Sequence, residues 1–369
     1  MRFPEFSGEW KEEQLESIAI LSKGIGISKE QLSENGEQCI LYGELYTKYK
    51  SEIIKQVESK TDIDSSKLKR SKANDVIIPC SGETAVDIAT ARCVPFDNIL
   101  LGGDLNIISL HKYDGAFMSY QLNGKRKCDI AKVAQGVSVV HLYGEHLKTI
   151  KTYNPTLPEQ QKIAKLLSLI DERIATQNKI IEKLESLIRG IYKTLLGESE
   201  QYRYLDELCE IRKGVQVNKE ELSEKGIYYV MNGGITPSGY YDLYNTEANT
   251  ISISEGGNSC GYVQYNYTPF WSGGHCYTLE NISDAVDNRY LFHYLKANEL
   301  QIMSLRIGSG LPNIQKKDLS AFRIPLPALD KQINIAKALD ALLYKITVDK
   351  NIYSTYKQQK EYLLQQMFI

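Results

Sequence analysis

Residues 157–196 read LPEQQKIAKLLSLIDERIATQNKIIEKLESLIRGIYKTLL, and the spacing of their apolar side chains decides the architecture of the chain. Those side chains recur at Ile163, Leu167, Ile170, Ile174, Ile181, Leu184, Ile188, Ile191 and Leu195. The steps alternate between four and three, which is the seam of a coiled coil and not the broad stripe of a helix laid on a globular core. Gln177 is the one polar occupant of the seam. About 40 residues of helix at 1.5 Å each make a rod of roughly 60 Å. A rod that long cannot cover its own seam, so the pattern demands a partner helix.

The partner lies in the same chain. At a shift of 172, Pro155, Gln160 and Ile163-Ala164-Lys165 recur as Pro327, Gln332 and Ile335-Ala336-Lys337. The seam recurs as Ile335, Leu339, Leu342, Ile346, Tyr353, Tyr356, Leu363 and Met367, with Asp349 in the place of Gln177 and Lys360 in that of Ile188. The regions ahead of the helices repeat as well. At a shift of 190, Leu15, Lys23-Gly24, Lys29-Glu30, Leu32-Ser33-Glu34, Gly36 and Gly43 meet Leu205, Lys213-Gly214, Lys219-Glu220, Leu222-Ser223-Glu224, Gly226 and Gly233. Further on, Gly102-Gly103 answers Gly273-Gly274, and Gly136 answers Gly308. The shift has fallen to about 172 by then, which predicts a charged, mobile insertion in the first copy within residues 48–72. The chain therefore reads as an α+β protein in which two homologous mixed α/β domains, residues 1–154 and 200–326, alternate with two long helices. Those helices, residues 155–199 and 327–369, are expected to pair as an antiparallel coiled coil.

Composition narrows the class. Seven cysteines without paired spacing point to reduced thiols rather than disulfides or zinc. The first ten residues are polar and no apolar run reaches the ~18 residues of a membrane span, so a cytoplasmic protein is expected. Charge is unhelpful to a free-standing DNA binder: residues 1–152 carry 20 basic and 21 acidic side chains, and residues 201–327 carry 11 and 14. It leaves room for a reader that takes its phosphate contacts from a basic partner.

Residues 10–21 read as an amphipathic lead-in to a glycine-punctuated turn, Ser22-Lys23-Gly24-Ile25-Gly26-Ile27-Ser28-Lys29. Its twin is Arg212-Lys213-Gly214-Val215-Gln216-Val217-Asn218-Lys219. Glycine lets a backbone approach a ligand, and Lys23, Ser28, Lys29, Lys213, Gln216, Asn218 and Lys219 supply donors for phosphates and base edges. The structural alternative is a surface hairpin turn with solvated lysines. Short β-branched runs, Asp75–Pro79 and Thr250–Ser254, end in polar glycine-bearing loops that carry Ser81 and Thr84 in one copy, Asn258 and Ser259 in the other. Asn232, beside Gly233, completes the candidate DNA contacts. The glycine pairs in residues 98–110 and 269–279 mark close backbone approach and no chemistry. Thirteen of the 25 tyrosines fall between Tyr202 and Tyr294; a minority could stack on bases, and most should pack strand faces. Each globular region closes on a matching turn, Gln135-Gly136-Val137-Ser138 with His141 and Ile307-Gly308-Ser309-Gly310 with Asn313, followed by a prolyl joint.

Catalytic patterns are missing. There is no Gly-x-x-x-x-Gly-Lys phosphate loop, Asn154-Pro155-Thr156 fails as an adenine methyltransferase motif, and the five histidines lack metal-ligand spacing. His275 beside Cys276 has no third member for a nucleophilic site. Asp62, Asp64, Lys67 and Lys69 suggest a nuclease cluster only superficially, since the second copy lacks them.

The opening Phe3-Pro4-Glu5-Phe6 with Trp10, the two Lys-Gly loops, and Pro158-Glu159-Gln160-Gln161-Lys162-Ile163-Ala164 leading to Leu169-Ile170-Asp171 together resemble the specificity subunit of type I restriction-modification enzymes. The second copy departs from that pattern with Asp330-Lys331-Gln332. The resemblance implies two target recognition domains, each reading one half of a split, asymmetric double-stranded DNA sequence, held apart by the paired helices. It implies two methyltransferase (modification) subunits and restriction/translocase subunits as partners, with no membrane. S-adenosylmethionine, ATP and Mg would sit on those partners, with no cofactor bound by this chain. Two other readings stand beside it: a protein-binding coiled-coil scaffold, and a methyltransferase or nuclease with unrecognised motifs.

Overall fold

The computed structural model describes residues 1–136, 139–195, 201–308, 310 and 312–369. Leu196, Val137, Ser138, Ser309 and the junction at 199/200 lie outside the described residues. Packing divides the chain into two units, Met1–Lys179 with Asn351–Ile369, and Ile180–Lys350.

The first unit is built on an antiparallel sheet of β1 (Ala19–Lys23), β2 (Asp75–Pro79), β3 (Arg92–Val94) and β4 (Leu105–Leu110), in the order β1-β4-β2-β3. All five residues of β2 are buried, as expected of a central strand covered on both faces. A second small sheet pairs Glu37–Ile40 in parallel with Leu100–Leu101. Helix α1 (Gly115–Asn123) starts where the Asp114 carboxylate accepts the orphan N–H of Phe117 at 2.7 Å. The anticipated mobile insertion is instead part of this structure: Lys60–Thr61 and Lys69–Arg70 join the small sheet, and Tyr49, Ile54 and Val57 are buried in its core. Charge dominated the reading of that stretch, but its few apolar residues anchor it. The lead-in of residues 10–21 comprises the strand Lys11–Gln14, one helical turn over Leu15–Ile18 with both of those side chains buried, and the start of β1.

Helix α2 (Leu157–Leu195) has 39 residues. The second unit repeats the plan of the first. Its sheet comprises β5 (Glu210–Lys213), β6 (Thr250–Ser254), β7 (Val263–Asn266) and β8 (Cys276–Glu280), ordered β5-β8-β6-β7 and wholly antiparallel. Tyr228–Met231 pairs in parallel with Trp271–Ser272, as its counterpart does. Helix α3 (Asn288–Ala297) is capped by Asp287, which accepts from Tyr290 N at 2.8 Å. Helix α4 (Leu329–Gln366) closes the chain.

The long helices pair antiparallel, and each unit contains one end of the pairing. In the first, Ile163, Leu167 and Ile170 of α2 share a core with Leu363 of α4, with Met367 just beyond it, and with Phe117 and Tyr120 of α1. In the second, Ile188 shares a core with Ile335, Leu339 and Ile346, and Lys350 reaches Glu185 at 2.8 Å. Each buried Leu or Ile contributes about 1.5–3 kcal/mol. The irregular Lys360 is an ion-paired seam residue: its ammonium lies 2.5 Å from Glu52 and 2.6 Å from Asp171, all three largely buried.

The joints are alike. Gln160 donates to Pro155 O at 2.8 Å and accepts from Asp114 N at 2.9 Å. Gln332 donates to Pro327 O at 2.8 Å and accepts from Asp287 N at 2.9 Å. Each glutamine thus ties the start of a long helix to the cap of its domain helix. The neighbouring position differs for a local reason. Glu159 is buried against Arg2, which donates through Nε and Nη2 at 2.7 Å each, and Lys331 occupies the corresponding place in the second copy.

Candidate nucleic-acid interface

In both copies the Lys-Gly loop leaves the first sheet strand and runs into a single 3-10 turn, Lys29–Gln31 or Lys219–Glu221. The glycine in it is required by the protein's own backbone. A Cβ on Gly24 would lie 1.9 Å from the carbonyl oxygen of Gly102, and one on Gly214 would lie 2.3 Å from that of Gly273. The paired glycines thus receive the loop, with Ile25 N donating to Leu101 O and Val215 N to Ser272 O. Close approach of the chain's own backbone accounts for the glycine at positions 24 and 214.

The predicted contacts then separate by place. Ser28 and Asn218 open the 3-10 turns, where Ser28 N donates to Gln31 Oε1 at 2.8 Å and Asn218 Nδ2 donates to Glu221 Oε1 at 2.7 Å. Lys29 and Lys219 are exposed beside them. Gln216 donates to Val217 O at 2.9 Å and is exposed. Thr84 caps the short helix Ala85–Ile88 by accepting from Asp87 N at 3.1 Å. Ser81, by contrast, lines a cavity of about 700 Å³ together with Tyr42, Glu83, Asp87 and Arg92. Lys213, Asn232, Asn258 and Ser259 come together around a second cavity of about 760 Å³, with Glu255 and His275.

These two cavities share one wall at equivalent positions of the two copies. Gly43 and Gly233 border them in turn, as do Ser81-Gly82-Glu83 and Gly256-Gly257-Asn258. The surrounding hydrogen bonds match: Cys80 N donates to Asp104 O and Leu142 N to Cys80 O, while Glu255 N donates to His275 O and Ile314 N to Glu255 O. The closing turns match as well, Gln135 exchanging both backbone bonds with His141 and Ile307 with Asn313. Cys80 thus corresponds to Glu255, Asp104 to His275, and Tyr42 to Asn232.

The linings differ in chemistry, as do the residue at the position of Glu255 and the surroundings of the lysine at the position of Lys213. In the first cleft the Arg92 guanidinium donates to the carbonyls of Tyr49 and Ala91, at 3.0 Å each, and burial pulls it below its ordinary range. Burial pushes the Cys80 thiol up to about 11. Lys23 lies over the ring of Tyr143, 5.7 Å from its centre. In the second cleft the buried Glu255 carboxylate takes Lys213 Nζ at 2.5 Å on one oxygen and His275 Nδ1 at 3.3 Å on the other. The Tyr277 hydroxyl also donates to Glu255, at 3.4 Å.

Glu255 escaped selection as a site residue in the sequence reading, although it is the first charged residue after the short β-branched strand Thr250–Ser254. His275 was weighed only as a partner of Cys276. That thiol is buried, and burial pushes it up to about 11, away from the thiolate form a nucleophile needs. Among the described residues no group of three or more His, Cys, Asp or Glu could hold a metal ion, and no helix is long and apolar enough to cross a membrane. Asp64 instead accepts from Ser66 in a local turn. Most tyrosines pack as anticipated; Tyr265 lies beneath Arg289, 3.9 Å from ring to guanidinium, and Tyr241 meets Trp271 edge-on.

Comparison with known proteins agrees with this duplicated plan. A putative type I specificity subunit of Mycoplasma pneumoniae is 38% identical over 144 residues, which is 38% of each chain. One of Mycoplasma genitalium is 37% identical over 125 residues, 33% of this chain and 32% of that one. The chain thus matches about a third of the length of these curated relatives. The crystal structure of a type I restriction-modification system S subunit from M. genitalium shares the fold, with a TM-score of 0.75 at 20% identity over 100% of this chain and 99% of that one. The profile of the type I restriction modification DNA specificity domain matches twice, over residues 7–186 and 198–357, and the chain belongs to that family.

Proposed function

We propose that this chain is the address-reading subunit of a type I restriction-modification assembly and carries out no chemistry itself. Each globular region reads one half of a split, asymmetric target in double-stranded DNA, and the two long helices set the unread gap. Two modification subunits would methylate adenine with S-adenosylmethionine, and restriction subunits would add ATP- and Mg-dependent translocation and cleavage, in the cytoplasm. The observation that carries this reading is the pair of homologous clefts with unlike linings. A duplicated catalyst would need the same groups twice, whereas a reader of an asymmetric site needs different groups in one frame. Near-neutral domains fit a chain whose phosphate contacts come largely from basic partners.

The test is reconstitution. The chain alone should bind duplex DNA weakly, and the complex with a modification subunit should bind one sequence tightly at physiological salt. Equal affinity of the complex for shuffled duplexes would contradict the reading. So would labelled methyl transfer or plasmid cleavage by the purified chain alone.

A further inference from the structure

The second cleft holds a constellation that address reading in general does not explain. Glu255 is 7% exposed, yet both its oxygens are engaged by residues at the cleft wall, Lys213 and His275. Those two side chains are 52% and 63% exposed. A buried carboxylate fixes the exposed groups attached to it. Lys213 carries three N–H donors and commits one to Glu255, leaving two for a ligand. His275 donates Nδ1–H to the carboxylate, which leaves its Nε2 as an acceptor in the neutral ring. A fixed lysine donor beside a fixed imidazole whose outward nitrogen can accept matches the major-groove edge of one base pair. Guanine offers acceptors at O6 and N7, and its cytosine offers the N4 amino donor.

We propose that the second cleft reads a G·C pair, with Lys213 donating to guanine O6 or N7 and His275 Nε2 accepting from the cytosine amino group. Glu255 acts as a positioning residue that orders both. The first cleft lacks this arrangement, since Cys80 stands at the place of Glu255, so no buried carboxylate orders its lysine, and Lys23 lies over Tyr143 instead. The proposal rests on the chain being a DNA reader, and it assigns the G·C requirement to one half-site only.

Mapping of methylated adenines in DNA treated with the reconstituted modification complex tests it, alongside duplex binding at several salt concentrations. Lys213→Met and His275→Ala should each weaken cognate binding roughly ten- to hundredfold. Each should also relax one G·C position in one half-site and leave the other half unchanged. Each substitution also takes a partner from the buried Glu255, so melting temperatures should fall modestly, and binding is compared well below the melting temperature of every variant. Binding to unrelated duplex should not change. A loss of affinity shared by all sequences, with the salt slope reduced by about one for Lys213→Met, would identify a phosphate contact and overturn the proposal. An unchanged motif in both variants would overturn it too, while leaving the address reading intact. A wild-type complex that shows no motif would overturn the address reading itself.

Discussion

At Gly24 the nearest obstacle to a side chain is the carbonyl oxygen of Gly102, whereas nothing lies within 4 Å of a Cβ added at Gly26 two residues later. Gly24→Ala and Gly214→Ala should therefore each destabilise the protein by about 1–3 kcal/mol or more, with Gly26→Ala close to neutral. Midpoints of denaturant unfolding compare the three directly. His293 offers a second handle. It is fully buried, with Nε2 2.8 Å from Asp340 Oδ1, and burial outweighs that carboxylate to hold its pKa below the ordinary 6.5. The native ring resists protonation while the unfolded one accepts it. Its contribution to stability is complete above 6.5 and declines as the pH falls from there toward the folded value. Relative to His293→Gln, the wild type should lose stability as the pH is lowered from about 7 to about 5. Parallel pH profiles for the two proteins would refute this.

The long helices were legible because their seam is periodic and recurs. Gln160 and Gln332 stood out at a constant offset, and the structure supplies the reason, since each latches a helix start to a capped domain helix. Lys360 was legible only as an exception, because its partners Glu52 and Asp171 are far away in sequence. Burial alone would lower its pKa, but the two carboxylates outweigh that and raise it, so the charge persists through neutral pH. Lys360→Ile, which copies Ile188 into the seam, should cost about 3–5 kcal/mol by stranding two buried carboxylates. Adding Glu52→Gln and Asp171→Asn should recover much of that loss. Thermal unfolding of the single and triple variants tests this, and equal destabilisation of both would argue against the triad. The insertion in the first copy was misread on the same ground: charge is visible in a sequence, but the burial of Tyr49, Ile54 and Val57 depends on distant strands.

For the molecule as a whole, the repeat followed from glycines and joints held in sequence order through both copies, whereas the strand order became visible only in the structure. The clefts did not, because Lys213, Asn232, Glu255 and His275 meet only once four separate segments fold together. Half of that set was named as DNA contacts beforehand, and Glu255 was hidden as one acid after a short β-branched strand. If the helices set the gap, adding one heptad to both, between Lys179 and Leu184 and opposite it after Lys350, lengthens the pair by roughly 10 Å. The unread gap should then grow by about three base pairs at 3.4 Å each, as read by methylation mapping. An unchanged gap would remove the helices from that role. The central claim, two readers with separate addresses, is tested most directly by replacing residues 200–326 with the corresponding region of another family member and mapping methylated adenines in the reconstituted complex. One half of the motif should change while the other half stays as it was; a motif altered in both halves, or in neither, would contradict the account.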